Sequence, residues 1–333
     1  MIRASGLRRI FKAGKETVEA VRDVSFDVAA GELVALLGPN GAGKSTTLRM
    51  LTTLLPPTEG SVHIAGADAA REPGRVRAAI GYVGQRNSAG QSHRIRDELV
   101  TKGRCYGRTP RDARRRAGQV LEMLDIAELA TRTTDTLSGG QRRRVDIALG
   151  LVHTPRVLFL DEPSTGLRPH SRAELWERIE LLRREHGITI LLSTHYLDEA
   201  DRMAERIVLV DRGRVIADGT QDALKAELAG DWMRVTTSGP EDTRASANLA
   251  RRLAGVAEVR TEGRTVHVRI ADADAALVSY LRLLDHHSIT VTRARVQRPS
   301  LDDVFLNLTG RTLDEPGEAQ RSATGEPIGA GRA

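Results

Sequence analysis

The stretch from Leu33 to Thr46, LVALLGPNGAGKST, decides how the chain is expected to fold. Its first part, Leu33–Leu37, is apolar without alternation, which predicts a strand buried on both faces. A helix is predicted from about Lys44 to Thr53, so a glycine-rich loop joins a strand to a helix. The loop fits G-x-x-x-x-G-K-[ST], in which backbone N–H groups converge on phosphate oxygens. The sequence therefore predicts a nucleotide-binding loop formed by Gly38, Pro39, Asn40, Gly41, Ala42, Gly43, Lys44, Ser45 and Thr46.

The polar side chains of this loop have separate expected tasks. Lys44 is expected to reach the β- and γ-phosphates of a nucleotide, and Ser45 is expected to coordinate Mg²⁺. Thr46, beside Ser45, is expected to bond the α-phosphate. The implied ligands are a nucleoside triphosphate and Mg²⁺.

A second apolar run, Val157–Leu160, is followed by two carboxylates, Asp161 and Glu162. A carboxylate at the carboxyl end of a parallel strand beside such a loop is placed to hold Mg²⁺ through water. The next carboxylate is a candidate to orient or deprotonate the attacking water. We therefore predict Asp161 as a metal-site residue and Glu162 as a catalytic residue.

A third motif precedes a predicted helix over Arg142–Leu151. Ser138 has the chemistry of a helix N-cap, and two glycines after it allow close approach of an anion to the helix start. Three arginines follow at 142–144, and we expect them to face solvent or a nucleotide phosphate. The motif consists of Leu137, Ser138, Gly139, Gly140 and Gln141.

Composition limits the class of protein. The chain has 333 residues, 40% of them hydrophobic and 28% charged, which is typical of about two globular domains. The single cysteine, Cys105, excludes an internal disulfide and favours a reducing compartment. No apolar run approaches the roughly 20 residues of a membrane-spanning helix, and the start lacks a secretion signal. The net charge is +6, but aromatic residues are only 3%, so we expect no dedicated nucleic-acid binding.

The order of predicted elements indicates two domains. Residues 1–222 alternate apolar runs with helical patterns, which predicts an α/β domain with a mostly parallel central sheet and a helical insertion at about 86–150. Residues 223–310 follow the order β-α-β-β-α-β, which predicts a small ferredoxin-like α+β domain. Residues 311–333 are aperiodic and rich in Gly, Pro, Ala and Glu, and we expect a disordered tail.

Together these motifs resemble the P-loop ATPases of the ATP-binding cassette (ABC) family. Gly38–Thr46 and Asp161–Glu162 look like its Walker A and B motifs, and Leu137–Gln141 looks like its signature. The resemblance covers about residues 3–220 and implies a mixed sheet with a helical subdomain. It implies that Gln85 senses Mg²⁺ and couples to the transport partner, that His195 contacts the γ-phosphate, and that Phe11 stacks on adenine.

The family resemblance also implies a mechanism. Two copies face each other, and each ATP lies between the P-loop of one copy and the signature of the other. ATP closes the dimer and hydrolysis opens it, which drives a separate transmembrane permease. The chain is then an ATP hydrolase, peripheral on the cytoplasmic face of the cell membrane.

One residue departs from the family pattern. The loop Ser164–Leu167 resembles the D-loop, which usually continues with Asp, whereas this chain has Arg168. A cation there reverses the charge beside an anionic ligand. We expect altered coupling or slower hydrolysis, with ATP binding retained.

The C-terminal stretch Pro299–Gly310 resembles the terminal motif of the daunorubicin/doxorubicin-resistance type of ABC subunit. That type implies a xenobiotic-transporting translocase that exports drugs or antibiotics. Residues Leu301, Val304, Phe305 and Leu308 also share one face of a helix, so the same stretch fits a docking helix. An importer, a lipid exporter and a non-transport ABC ATPase stay open as alternatives. Lys44 and Ser138 are too close in sequence for the long insertions of DNA-repair members.

Overall fold

The computed structural model describes residues 1–13, 16–86, 88–90, 92–228, 231–270, 272–297 and 299–311. It divides into two units, Met1–Asp218 and a second unit that begins at Gly219. The tail predicted over 311–333 lies, apart from Arg311, outside the described residues. Within the described part of the chain, no helix combines the length and apolarity that crossing a bilayer requires.

The first unit contains ten strands and seven α-helices among its described residues. In chain order they are β1 (Ile2–Ala13), β2 (Glu16–Val28), β3 (Leu33–Leu37), α1 (Lys44–Leu51), β4 (Glu59–Ile64), β5 (Ala67–Asp68), α2 (Pro73–Ala79), β6 (Ile80–Val83), α3 (Ile95–Cys105), α4 (Pro110–Met123), α5 (Gly139–Leu151), β7 (Val157–Asp161), α6 (Pro169–His186), β8 (Thr189–Thr194), α7 (Leu197–Met203), β9 (Arg206–Asp211) and β10 (Arg214–Gly219).

The ten strands form one mixed sheet in the order β5-β4-β1-β2-β10-β9-β3-β8-β7-β6. Strand β3 pairs in parallel with β8 and β9, and β7 pairs in parallel with β6 and β8. Strands β1, β2 and β4 pair antiparallel and form the other part of the sheet. The predicted mixed sheet is confirmed, although the sequence patterns did not reveal the long strands β1 and β2.

The parallel strands are buried, and helices α1, α5 and α7 pack against them. Every residue of β3 and of β7 is buried, as their continuous apolar sequences predict. Parallel strands end at the same edge of a sheet, so the loops that follow β3, β7 and β8 lie together. This edge carries the nucleotide-binding motifs.

The second unit has its own core and a four-stranded sheet. Its elements are α8 (Gln221–Leu228), β11 (Asp231–Thr237), α9 (Pro240–Ala250), β12 (Val256–Glu262), β13 (Thr265–Ile270), α10 (Ala273–His286), β14 (Val291–Gln297) and α11 (Leu301–Thr309). The antiparallel sheet has the order β12-β13-β11-β14. This is the strand order of a ferredoxin-like fold, and the prediction is confirmed. Helix α11 packs against α8 and buries Leu301, Val304 and Phe305.

Candidate functional site

The loop after β3 has a backbone that requires glycine. Gly43 has φ +101°, and a Cβ there would lie 2.6 Å from the carbonyl oxygen of Ala20. This conformation starts helix α1 directly after the loop, with Gly43 as its N-cap. The backbone N–H groups at the start of α1 therefore face the loop, as an anion site requires.

Lys44 lies inside this loop, with only 4% of its surface exposed. Its Nζ donates hydrogen bonds to the carbonyl oxygens of Gly38 at 2.7 Å and Pro39 at 3.0 Å. It also lies 3.7 Å from Glu162 Oε1. Burial lowers the pKa of Lys44, and the nearby carboxylates of Glu162 and Asp161 oppose that shift. A buried ammonium held by carbonyls and one carboxylate is well placed to exchange these partners for phosphate oxygens.

A second cluster joins three predicted metal-site residues. Ser45 Oγ donates to Asp161 Oδ1 at 2.9 Å, and Gln85 Nε2 donates to Ser45 Oγ at 3.2 Å. Ser193 Oγ, from β8, also donates to Asp161 Oδ1 at 2.7 Å. The structure therefore brings together side chains from α1, β7, β8 and the loop after β6.

This cluster fits Mg²⁺. The second carboxylate oxygen of Asp161, Oδ2, is buried and accepts no hydrogen bond from a described residue, so it has a free acceptor for a cation. Hydroxyl, carboxylate and amide oxygens are the ligands that Mg²⁺ prefers. Across the described ranges, no group of three or more His, Cys, Asp or Glu side chains could hold a metal ion. A site with one carboxylate matches Mg²⁺ that is held mainly by water and nucleotide phosphates.

Glu162 lies between two other predicted site residues. Its Oε1 is 3.4 Å from His195 Nδ1 and 3.7 Å from Lys44 Nζ. The backbone at Glu162 has φ +46°, and its N–H donates to Ser193, to both the carbonyl oxygen and Oγ. The hydrogen bonds to β8 hold this strained turn, so the carboxylate is aimed at the loop.

The signature motif begins helix α5 with a capping box. Ser138 Oγ accepts from the backbone N–H of Gln141, and the Gln141 side chain accepts from the N–H of Ser138. Gly140 is buried, and a Cβ there would meet the Ser171 side chain at 2.8 Å. No hydrogen bond or ion pair between described residues joins the signature to Lys44 or Glu162. The signature is therefore a separate patch of the unit.

Phe11 also lies apart from these clusters, on β1. The residue is 37% exposed, and the Arg9 guanidinium lies 4.8 Å from the ring centre. One face of the ring therefore has a cationic neighbour. The assignment of Phe11 as the adenine contact stays a prediction.

The expectation for Arg143 was wrong. Only 6% of this residue is exposed, and its guanidinium donates to three backbone carbonyls. Sequence reasoning missed it because it reads as the middle of a basic run. The one available signal was the run Val145–Leu151, which shows that α5 is buried from its second turn onward. Ser193 was missed as well, since a serine at a strand end is common.

Comparisons with known proteins agree with both units. Residues 21–165 match the family described as ABC transporter, and residues 219–309 match the C-terminal domain of DrrA1-3-like ATP-binding proteins. The chain is 42% identical to a daunorubicin resistance ATP-binding protein of Streptomyces coeruleorubidus, which covers 90% of this chain and 93% of that protein. It is 35% identical to a linearmycin resistance ATP-binding protein of Bacillus subtilis, over 94% of this chain and 99% of that protein.

Solved structures give the same result for the first unit. A dimeric, post-hydrolysis ATP-binding cassette bound to ADP and Pi is 27% identical and superposes with a TM-score of 0.61, covering 66% of this chain and 98% of that one. The cbiO1 subunit from Clostridium perfringens, part of an ABC transporter complex, is 30% identical with a TM-score of 0.60, covering 66% of this chain and 88% of that one.

Proposed function

This chain belongs to the ATP-binding subunits of ABC transporters, and we propose that it hydrolyses ATP to power export of a drug, antibiotic or other hydrophobic compound through a separate permease. The observation that carries the proposal is the cluster at the edge of the parallel sheet. There Glu162 lies 3.7 Å from Lys44 and 3.4 Å from His195, beside the Ser45–Asp161 pair. Resistance and export proteins among the relatives support the export direction.

The residues of the site divide the work of hydrolysis. Lys44 would bind the β- and γ-phosphates and offset the charge that develops on them. Glu162 would hold the attacking water and accept its proton while the water oxygen bonds to the γ-phosphorus and ADP leaves. His195, 3.4 Å from Glu162, would orient that carboxylate and the γ-phosphate. Ser45, Gln85 and Asp161 would hold Mg²⁺, which supplies charge neutralisation between the β- and γ-phosphates.

A second copy of the chain completes the proposed site. Within one copy, no hydrogen bond or ion pair between described residues joins the signature Leu137–Gln141 to Lys44. We therefore propose that the signature binds the ATP of the partner copy. ATP that bridges two surfaces adds contacts only in the closed dimer and shifts the population toward it. We propose residues 1–222 as the ATP-binding domain and 223–310 as an accessory or dimerisation domain.

The permease would dock near Gln85, at the cytoplasmic face of the membrane. A cavity of about 440 Å³ there is lined by residues that include Leu54, Tyr82, Ser88 and Tyr106. Leu54 is 60% exposed and Tyr106 is 41% exposed, so the rim offers apolar surface to a partner. A cytoplasmic segment of the permease is the occupant that this proposal requires.

The experiment is a tagged pull-down from detergent-solubilised native membranes, with ATP hydrolysis measured on the captured complex. We expect a multi-span protein to co-purify with the wild type and to be lost with Leu54→Glu in the cavity rim. Val278→Glu, at a valine of α10 that is 51% exposed, is the matched control and should keep the partner. Capture of nucleic acid or ribosomal proteins, with no membrane protein, would contradict the transport function.

A further inference from the structure

Helix α5 carries two buried charged residues within one turn, Arg143 and Asp146. They are 6% and 1% exposed, and apolar residues follow Asp146 on the same buried helix. Burial lowers the pKa of Arg143 and raises the pKa of Asp146, because each charge is withdrawn from water. Buried charges are costly unless specific partners hold them. The partners of these two residues are therefore informative.

The guanidinium of Arg143 joins three backbone segments of the hydrolytic site. Nη1 donates to the carbonyl oxygen of Gly84 at 2.7 Å, Nη2 to that of Asp161 at 3.1 Å, and Nε to that of Pro163 at 2.9 Å. Gly84 precedes Gln85, and Pro163 follows Glu162. Each carbonyl therefore belongs to, or adjoins, a residue of the proposed metal or catalytic cluster. The rigid fork of an arginine fixes the distances among such acceptors.

Asp146 holds the far side of the Gln85 loop. Its Oδ1 accepts from the backbone N–H groups of Ser88 at 2.8 Å and Ala89 at 3.0 Å. The loop is thus fastened to α5 at Gly84 by Arg143 and at Ser88–Ala89 by Asp146. Gln85 lies between the two attachments, with its amide on Ser45.

We propose that Arg143, supported by Asp146, is a positioning residue for ATP hydrolysis that holds the Gln85 loop against the Asp161–Pro163 turn. This inference rests on the proposed function and concerns the same site. The signature begins α5 at Ser138, five residues before Arg143, or about 7.5 Å along the helix. One rigid element therefore carries the motif that would contact the partner's ATP and the side chain that fixes this copy's own metal site.

The neighbouring arginines show that a basic residue on α5 need not reach the site. Arg142 donates to the carbonyl oxygen of Thr134, and Arg144 pairs with Asp125 and Glu174. Arg144 is therefore the matched control, since it lies on the same helix and has its partners outside the hydrolytic cluster.

The test compares Arg143→Gln with Arg144→Gln in the purified full-length chain, with ATP and Mg²⁺ varied separately. For Arg143→Gln we expect kcat to fall about 10–100-fold, as when a residue that supports metal ligands is lost. The Mg²⁺ concentration for half-maximal rate should rise in step. KM for ATP should change less than about threefold, because the Lys44 loop is untouched. Arg144→Gln should resemble the wild type in all three quantities.

Arg143→Lys keeps the buried charge but satisfies fewer carbonyls, so it should give an intermediate kcat and Mg²⁺ requirement. It also serves where the glutamine variant does not fold. A folded Arg143 variant with the kcat and Mg²⁺ dependence of Arg144→Gln would overturn this inference alone. A wild-type chain that neither binds nor hydrolyses ATP would overturn the proposed function, and this inference with it.

Discussion

The two sheets of this protein place their polar side chains differently. In the first unit, β3 and β7 are buried along their whole length, and Asp161 and Ser193 lie toward the carboxyl ends of β7 and β8, where Asp161 meets Ser45. In the second unit, burial alternates along β13. Val266, Val268 and Ile270 are buried, and the residues between them face away from the core. The polar side chains of the proposed site thus lie at one edge of the parallel strands, whereas those of the second sheet are spread over one face.

The open face of the second sheet is strongly basic. The strand register aligns four basic side chains, one from each strand, in a single row: Arg260, His267, Arg234 and Arg295. Glu258 and Glu262 lie near one end of the row, whereas no described residue forms an ion pair with Arg234 or Arg295. Water can solvate these charges, so they need no fixed partners. At the buried edge of the first sheet every charge must be held, and this requirement produces a preorganised site.

Among the variants that test this contrast between a buried edge and an open face, Glu162→Gln should have the largest effect. The amide cannot accept a proton from water, so ATP hydrolysis should fall about 100-fold or more while ATP binding persists. The closed dimer should then accumulate with ATP, which size-exclusion chromatography would show. Glu177→Gln, at an exposed position of α6, is the control and should hydrolyse ATP normally. A native hydrolysis rate for Glu162→Gln would remove Glu162 from its catalytic role.

Arg168→Asp tests an exposed charge that follows the loop Ser164–Leu167. Arg168 is the N-cap of α6 and makes no side-chain hydrogen bond to the helix. An aspartate would cap the free N–H groups and favour the helix dipole, so the free energy of unfolding should rise by about 1 kcal/mol. If Arg168 slows hydrolysis, turnover should rise as well.

The control for this variant is Arg168→Asn, which caps the helix without the negative charge. It should give most of the gain in stability and less of the gain in turnover. Unchanged turnover and unchanged ATP-dependent dimerisation in Arg168→Asp would show that the D-loop charge has no effect on coupling.

The edge of the first sheet was easier to predict than its surroundings, for a physical reason. Gly-rich loops, strand-end carboxylates and helix caps are local devices, so the elements around Lys44, Asp161 and Ser138 follow from short patterns. Arg143 depends on which backbone carbonyls converge on it in three dimensions, and no spacing in the chain encodes that. Strands β1 and β2 were not predicted, because their charged and apolar residues alternate irregularly around register shifts.

Strand β3 was predicted with its observed bounds, and β7 was predicted with its observed start. Strands with a clear periodicity of burial leave a clear pattern in sequence. The basic row was not predicted, because it depends on the pairing register of four separate strands. Pattern therefore predicts single elements well and side-chain neighbours poorly.

Arg295→Gln should raise the stability of the second unit by about 0.5 kcal/mol, since like charges directly opposite on a sheet repel. The gain should be present at about 10 mM salt and vanish near 1 M, where charges are screened. Arg295→Lys keeps the charge and should show no gain in stability.

Unfolding of the second unit would be followed by the fluorescence of Trp232. The chain has two tryptophans, so Trp176→Phe in the background removes the signal of the first unit. A gain that is independent of salt would mean that the row is not under electrostatic strain.

The smallest expected effect is a pH dependence from His153, a titratable side chain buried in the first unit rather than spread on an open face. His153 is 9% exposed, its Nε2–H donates to the Ile80 carbonyl at 2.8 Å, and its ring stacks on Tyr106. Burial lowers its pKa below the ordinary 6.5, and nearby cations add to this shift. As pH falls below 6.5, the unfolded chain binds a proton that His153 in the folded chain does not readily bind, so the free energy of unfolding decreases.

His153→Gln keeps a donor to Ile80 and does not titrate. Urea unfolding from pH 7.5 to 5 should therefore show a smaller loss of stability for this variant than for the wild type. The exposed His93→Gln is the control and should follow the wild type. Equal slopes for His153→Gln and the wild type would mean that His153 is protonated as readily in the folded chain as in the unfolded one, and that burial in this unit does not by itself restrain a titratable group.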